Sequence, residues 1–200
     1  LTSEMRLCLL AALASLHILH ALHPPPLVRV WDRVFSPEVL QSLVAEGERR
    51  AHSFTCVFSR GRAGGAHGRT IIERSLCTLL DEIGDDARFV EYWWRGEWLS
   101  MGTHRDVDEA LCRTQTRGEA GVQRCPDWGH VLYLDVDDGV HAPTCVWEED
   151  GEVPQDGEDV PGGRAGGAPR SLRSLHVVPA RAGRLLRFRG DMLHAVPKPT

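Results

Sequence analysis

The chain has 200 residues and a mass of 22.2 kDa, with 42% hydrophobic and 26% charged residues, the profile of a globular chain long enough for one domain and short for two. A formal charge of −5 and a sequence pI of about 6.1 leave no basic excess to draw a phosphate backbone, so nucleic acid is not expected as a partner. The cysteines Cys8, Cys56, Cys77, Cys112, Cys125 and Cys145 contain no C-x-x-C pair, which removes support for a thiolate zinc site.

Residues 1–26 form the first segment. It is apolar from Leu7 to Leu16 apart from Ser15, a run far short of the roughly 20 residues a bilayer-spanning helix requires. A packing helix leading into the Pro24-Pro25-Pro26 linker is expected, with no membrane span. His17, His20 and His23 would lie near one another on that helix, yet without an acidic partner they read as its solvated flank. Leu27, Val28 and Val30 then predict a short extended segment ending at Trp31. Ser36-Pro37 supplies an N-cap and a proline at the first helical position, and Val39, Leu40, Leu43 and Val44 form the apolar stripe behind it. The glycine- and arginine-rich stretch Ser59–Arg69 predicts a loop; an RNA-stacking segment would carry aromatics between its arginines, and this one has none. Ile71, Ile72, Leu76, Leu79, Leu80 and Ile83 predict a second amphipathic helix that Gly84 can end.

From Arg88 onward the pattern changes to short aromatic and β-branched runs, Phe89–Trp94, Trp98–Thr103, Val131–Val136, Thr144–Trp147, Leu175–Val178 and Leu185–Phe188, divided by turn-forming residues. The predicted fold class is mainly β with flanking helices (α+β): a double-stranded β-helix, or jelly-roll barrel, with the N-terminal helices packed outside it. Residues 148–170 are acidic and then glycine-rich, a composition unable to bury a core, and predict a mobile insertion between strands. The D-x-D-x-D-G order of a calcium loop is absent there.

The residues most suggestive of chemistry are His104-Arg105-Asp106, just after the Trp98–Thr103 run. On an extended chain, side chains two apart point to the same face, so His104 and Asp106 can offer an imidazole nitrogen and a carboxylate oxygen to one ion. A non-haem Fe(II) site needs a third ligand on the same triangular face, and His194, beyond the turn Gly190-Asp191, suits that place. A protein-kinase reading of His-Arg-Asp fails, because Val107-Asp108-Glu109-Ala110 lacks the leucine and asparagine it requires.

In these residues, in Phe89-Val90-Glu91-Tyr92, in Gly183-Arg184-Leu185-Leu186-Arg187-Phe188 and in Leu193-His194-Ala195-Val196, the sequence resembles the 2-oxoglutarate- and Fe(II)-dependent oxygenases, particularly their prolyl 4-hydroxylase-like branch. Val28-Arg29-Val30-Trp31-Asp32 and Phe35-Ser36-Pro37-Glu38-Val39 are similar to the strand and helix that open that branch. The resemblance makes residues 27–200 one oxygenase domain and His104, Asp106 and His194 its metal ligands and catalytic centre. It implies Fe(II), 2-oxoglutarate as cosubstrate and O2, with ascorbate as an auxiliary reductant, and hydroxylation of a C–H bond with succinate and CO2 as coproducts. A peptide, protein or small molecule is the implied substrate, and the branch points to a peptidyl proline. Tyr133 matches a tyrosine that helps hold the distal carboxylate of 2-oxoglutarate, Thr144 matches a threonine on the following strand, and Tyr92 is a pocket candidate with an even claim to the core.

Relatives also place a lysine or arginine several residues beyond the distal histidine, because a buried carboxylate needs a cationic partner. Six residues follow His194 here, with Lys198 the sole basic one, so the anchor is expected to lie beyond Thr200 unless Lys198 or the neighbouring-strand pair Arg187 and Arg189 serves instead. Two other readings use the same residues: a non-catalytic jelly-roll binding module without that anchor, and a Zn²⁺-dependent hydrolase with the same triad.

Overall fold

The two helix starts legible in the sequence are reproduced in the fold, for which a computed structural model describes residues 26–50, 55–61, 68–95, 100–107, 125–137, 143–149 and 171–197. Helix α1 spans Pro37–Arg49, with proline in its first turn and the Ser36 hydroxyl accepting from the Val39 N–H. Helix α2 spans Ile71–Glu82 behind a capping box, in which Thr70 Oγ1 accepts from the Glu73 N–H at 3.1 Å and the Glu73 carboxylate accepts from the Thr70 N–H at 2.9 Å. Gly84, at φ 71°, takes the left-handed turn that ends α2. The Asp85 and Gly84 amides then return to the Leu80 and Asp81 carbonyls, which delivers Asp85 at a defined point beside the sheet.

Nine strands follow the alternating apolar pattern: β1 (Val28–Trp31), β2 (Cys56–Ser59), β3 (Phe89–Tyr92), β4 (Met101–His104), β5 (Trp128–Tyr133), β6 (Pro143–Glu149), β7 (Leu172–Pro179), β8 (Arg184–Arg189) and β9 (Leu193–Val196). All pairings are antiparallel, in sheets ordered β1-β8-β5, β2-β3 and β4-β9-β6-β7. The three- and four-stranded sheets meet in one core, where Val146 and Val178 from one touch Leu186 and Phe188 from the other beside Met192. Burial of these side chains is the main stabilising term, at roughly 1.5–3 kcal/mol each.

The fold is β-rich with two helices, as expected, but the expected closed jelly-roll barrel is not found. Among the described residues no hydrogen-bonded ladder joins the two larger sheets. The chain passes from β8 in one to β9 in the other through the short turn around Gly190 and Asp191, so the sheets meet by packing their faces and not by pairing their edges. Two strands lie outside the anticipated runs. Strand β2 falls at the edge of the glycine-arginine loop, and β9 is too short to show a period of its own. The N-terminal segment 1–25, the tract 150–170 and Lys198 lie outside the described residues.

Register across β5 and β8 matters for the core. Gly129 stands opposite Phe188, and a Cβ at that glycine would sit 2.7 Å from the Phe188 ring, itself 1% exposed. Gly129→Ala is expected to cost about 1–3 kcal/mol through overpacking, read as a lower urea midpoint at unchanged slope. An unaltered midpoint would show that the ring can move aside.

Candidate metal centre

Strand pairing, and not chain proximity, assembles the site. Strand β4 lies antiparallel to β9 with His104 opposite His194, two residues 90 positions apart in the chain. Asp106 follows at the end of β4, and its Oδ1 stands 3.7 Å from His104 Nε2 and 3.5 Å from His194 Nε2. The two imidazole rings are 4.2 Å apart, and one donor atom from each of the three residues falls within a 4.8 Å group.

The ring orientations have a common cause. His104 Nδ1 lies 2.8 Å from the Gly102 carbonyl and His194 Nδ1 lies 3.1 Å from the Met192 carbonyl. Each Nδ1–H donates to the main chain two residues back, which places the proton on Nδ1 and leaves the Nε2 lone pair facing the carboxylate. Donors about 2.1 Å from an octahedral ion at right angles stand about 3 Å apart, so the two observed separations close onto a divalent ion with small side-chain movements. Two imidazoles and one carboxylate form the facial set that suits non-haem Fe(II) and leaves the opposite coordination positions open. His194 is buried and packs against Phe188 at 4.8 Å between ring centres, whereas His104 and Asp106 are partly exposed. The centre is thus walled on the core side and open on the other.

Arg105, between the two β4 ligands, faces away from them. Its guanidinium donates to the Asp191 carbonyl at 2.8 Å and to Glu149 Oε2 at 2.5 Å. Arg189 in turn donates to the Asp191 carboxylate. These bonds hold the His104–Asp106 segment against the turn that leads to His194 and against the end of β6. Sequence reading passed over Arg105 and Glu149. The alternation about His104 was the available signal for Arg105; Glu149 had none.

The remaining candidates separate into three places. Tyr133 and Thr144 face the core from β5 and β6, with their hydroxyls 2.6 Å apart. Thr144 is 1% exposed and lies two residues before Val146, the residue opposite His194. Burial pushes the Tyr133 hydroxyl above its usual range, so it is protonated and able to donate. Tyr92 lies in the β2–β3 ribbon opposite Cys56, edge-on to Phe58 and away from the triad. Burial raises its hydroxyl to about 12.

Arg187 and Arg189 do share a face of β8, but it is the face opposite Leu186 and Phe188, turned away from His194. Arg187 stacks 3.8 Å over Trp128 and pairs with Asp85 at 3.2 Å. The core-facing arginine of β8 is Arg184, which stands opposite Tyr133 and forms a two-point bond to Asp32 at 2.6 and 2.9 Å. Its alternation with Leu186 and Phe188 was the overlooked signal. Lys198 lies outside the described residues.

No family model and no curated protein matches the chain. Among solved structures, a prolyl-4-hydroxylase of Pseudomonas putida aligns over 88% of each chain at 14% identity with a TM-score of 0.32.

Two measurements follow from these contacts. Arg105→Ala is expected to weaken Co(II) affinity about 10- to 100-fold, as loss of ligand-supporting contacts does elsewhere, measured by chelator competition; unchanged affinity would assign the clamp to stability alone. The second concerns His130, on the outer face of β5, whose ring Nε2 lies 3.5 Å from Asp85 Oδ2 with Arg187 beside them. Desolvation lowers its pKa from 6.5 to about 4. The unfolded chain therefore binds a proton between those values that the folded chain refuses, and stability falls as pH drops through that window. His130→Asn should flatten this part of the unfolding profile by on the order of 2 kcal/mol between pH 6.5 and 4. Parallel wild-type and variant profiles would remove His130 as the source.

Proposed function

We propose that this chain is an Fe(II)- and 2-oxoglutarate-dependent oxygenase that hydroxylates a C–H bond, with a prolyl residue in a peptide as the first substrate to test. The observation that carries it is the facial set of His104, Asp106 and His194, with both Nε2 atoms turned onto one carboxylate oxygen. These three residues would hold the metal. The bound metal would supply O2 activation, with O2 as the oxidant: one oxygen atom would enter the substrate C–H bond as a hydroxyl and the other would enter succinate as 2-oxoglutarate loses CO2.

The chain's own residues do the rest. Main-chain carbonyls keep the two imidazoles in the ligating tautomer, and Phe188 shields the core side of His194 from water. Tyr133 and Thr144 are hydroxyls in a wall otherwise made by Val146, Val178 and Leu186. Each hydroxyl has the other as partner at 2.6 Å, and one hydroxyl donates to the other, so the pair keeps one O–H that a carboxylate such as the distal one of 2-oxoglutarate would accept. Arg184 stands opposite Tyr133 on β8, with its charge already met by the Asp32 carboxylate.

Anaerobic addition of Fe(II) and 2-oxoglutarate should produce the weak visible absorption band of their chelate, and the intact protein's failure to form it would defeat the assignment. Asp106→Ala and His104→Ala should abolish succinate formation without lowering the melting temperature of the metal-free protein. Tyr133→Phe should raise the 2-oxoglutarate concentration needed for half-maximal absorbance by about fivefold, the worth of one hydrogen bond, with Co(II) affinity unchanged.

A further inference from the structure

One transverse row of residues crosses the whole four-stranded sheet. His104 on β4 is opposite His194 on β9, His194 is opposite Val146 on β6, and Val146 is opposite His176 on edge strand β7. With strands about 4.8 Å apart, the His176 backbone lies about 10 Å from that of His194 on the same sheet. Two residues beyond Val146 is Glu148, which stands opposite Ser174. Period-two alternation puts Glu148, Ser174 and His176 on the face that carries Val146 and His194, and their contacts agree. Ser174 Oγ donates to Glu148 Oε2 at 2.8 Å, and His176 Nε2 lies 3.4 Å from the same oxygen and 3.2 Å from the serine hydroxyl.

We infer that Glu148, Ser174 and His176 form a substrate subsite that takes a cationic side chain, lysyl or arginyl, of a peptide whose reacting residue lies at the metal centre. The inference rests on the oxygenase reading for the word substrate, and on the cluster's own geometry for the charge it prefers. Among the described residues, Glu148 is hydrogen-bonded at one oxygen only. Its Oε2 is engaged by Ser174 and His176, while Oε1 faces Arg173 at 3.9 Å, beyond hydrogen-bond distance, with the Arg173 side chain 67% exposed. An exposed ion pair of that length contributes little, so another cation can take the place of Arg173 at small cost.

The carboxylate is otherwise prepared for the exchange. Hydrogen bonds from Ser174 and then His176 keep its pKa below the usual range, ahead of any help from Arg173. At 22% side-chain exposure it is sheltered enough to reward a charged partner and open enough to receive one. An extended peptide advances about 3.3 Å per residue, so the cation belongs about two or three residues from the one that reacts.

The test is a titration of the metal-free full chain, following the His176 imidazole by long-range proton–nitrogen NMR. The probes are the blocked peptide acetyl-Ala-Lys-Ala-amide and its norleucine and glutamate counterparts. The lysine peptide should shift His176 saturably and bind about three- to fivefold more tightly than the norleucine peptide, the scale of a partly exposed ion pair. Glu148→Gln should abolish that preference while leaving norleucine-peptide binding as it is, a charge-selective effect that mere structural damage would not produce. Equal or tighter binding of the norleucine or glutamate peptide, or persistence of the preference in Glu148→Gln, would overturn the subsite. The Fe(II)–2-oxoglutarate band is recorded separately on the same preparation. A band without peptide discrimination defeats the subsite and spares the oxygenase reading; discrimination without a band does the reverse.

Discussion

The pairing of β4 with β9 is the constraint from which the rest of the centre follows, because it sets two imidazoles 90 positions apart in the chain side by side at 4.2 Å. Neither strand could do this alone. Each is four residues long, and a pair of that length is marginal unless a larger sheet supports it. Support comes from β6, which pairs with β9 on its other side and places Val146 under His194. Phe188, from the opposing sheet, packs against the same ring. The geometry of the distal histidine is therefore a property of the core, and the geometry of His104 and Asp106 depends on how well the core aligns β9.

Charge is divided between the two faces of the three-stranded sheet. On the outer face, Asp85, His130 and Arg187 are gathered beneath the turn that ends α2, and Arg60 ties that turn down through the Asp85 and Ala87 carbonyls. Buried ion pairs of this kind cost several kcal/mol to break from one side, so they fasten the helices to the sheet. On the inner face stand Tyr133, bonded to Thr144 of the facing four-stranded sheet, and Arg184, bonded to Asp32. The two arginines that sequence alternation singled out belong to the first group, and the one it passed over belongs to the second.

Asymmetry also marks the four-stranded sheet. Its β4–β9 side carries the candidate metal ligands and its β6–β7 side carries Glu148, Ser174 and His176, with Val146 between them. Arg105 links the two sides by reaching from the metal segment to Glu149. One sheet face thus presents the His104–Asp106–His194 group at one end and a carboxylate at the other. A ligand spanning them would be an extended chain.

Much of this was written in local pattern. Ser36-Pro37 and the Thr70–Glu73 box declare helix starts because their side chains satisfy backbone groups only a few residues away, and the His104–Asp106 spacing declares a shared face because alternation is a property of the strand itself. Seven of the nine strands among the described residues were anticipated for the same reason. What the sequence could not show is which face of β8 turns inward, since Leu185, Arg187 and Arg189 alternate with Arg184, Leu186 and Phe188 equally well in either sense. Nor could it show that the sheets would remain unjoined at their edges, or that Asp85 would descend onto Arg187. Those outcomes depend on contacts between residues about 50 to 150 positions apart, whose worth is decided only when burial selects one arrangement of the whole core. Local chemistry determined the ligand types and the elements that carry them; tertiary packing decided which of the charged residues stand with the metal and which hold the fold.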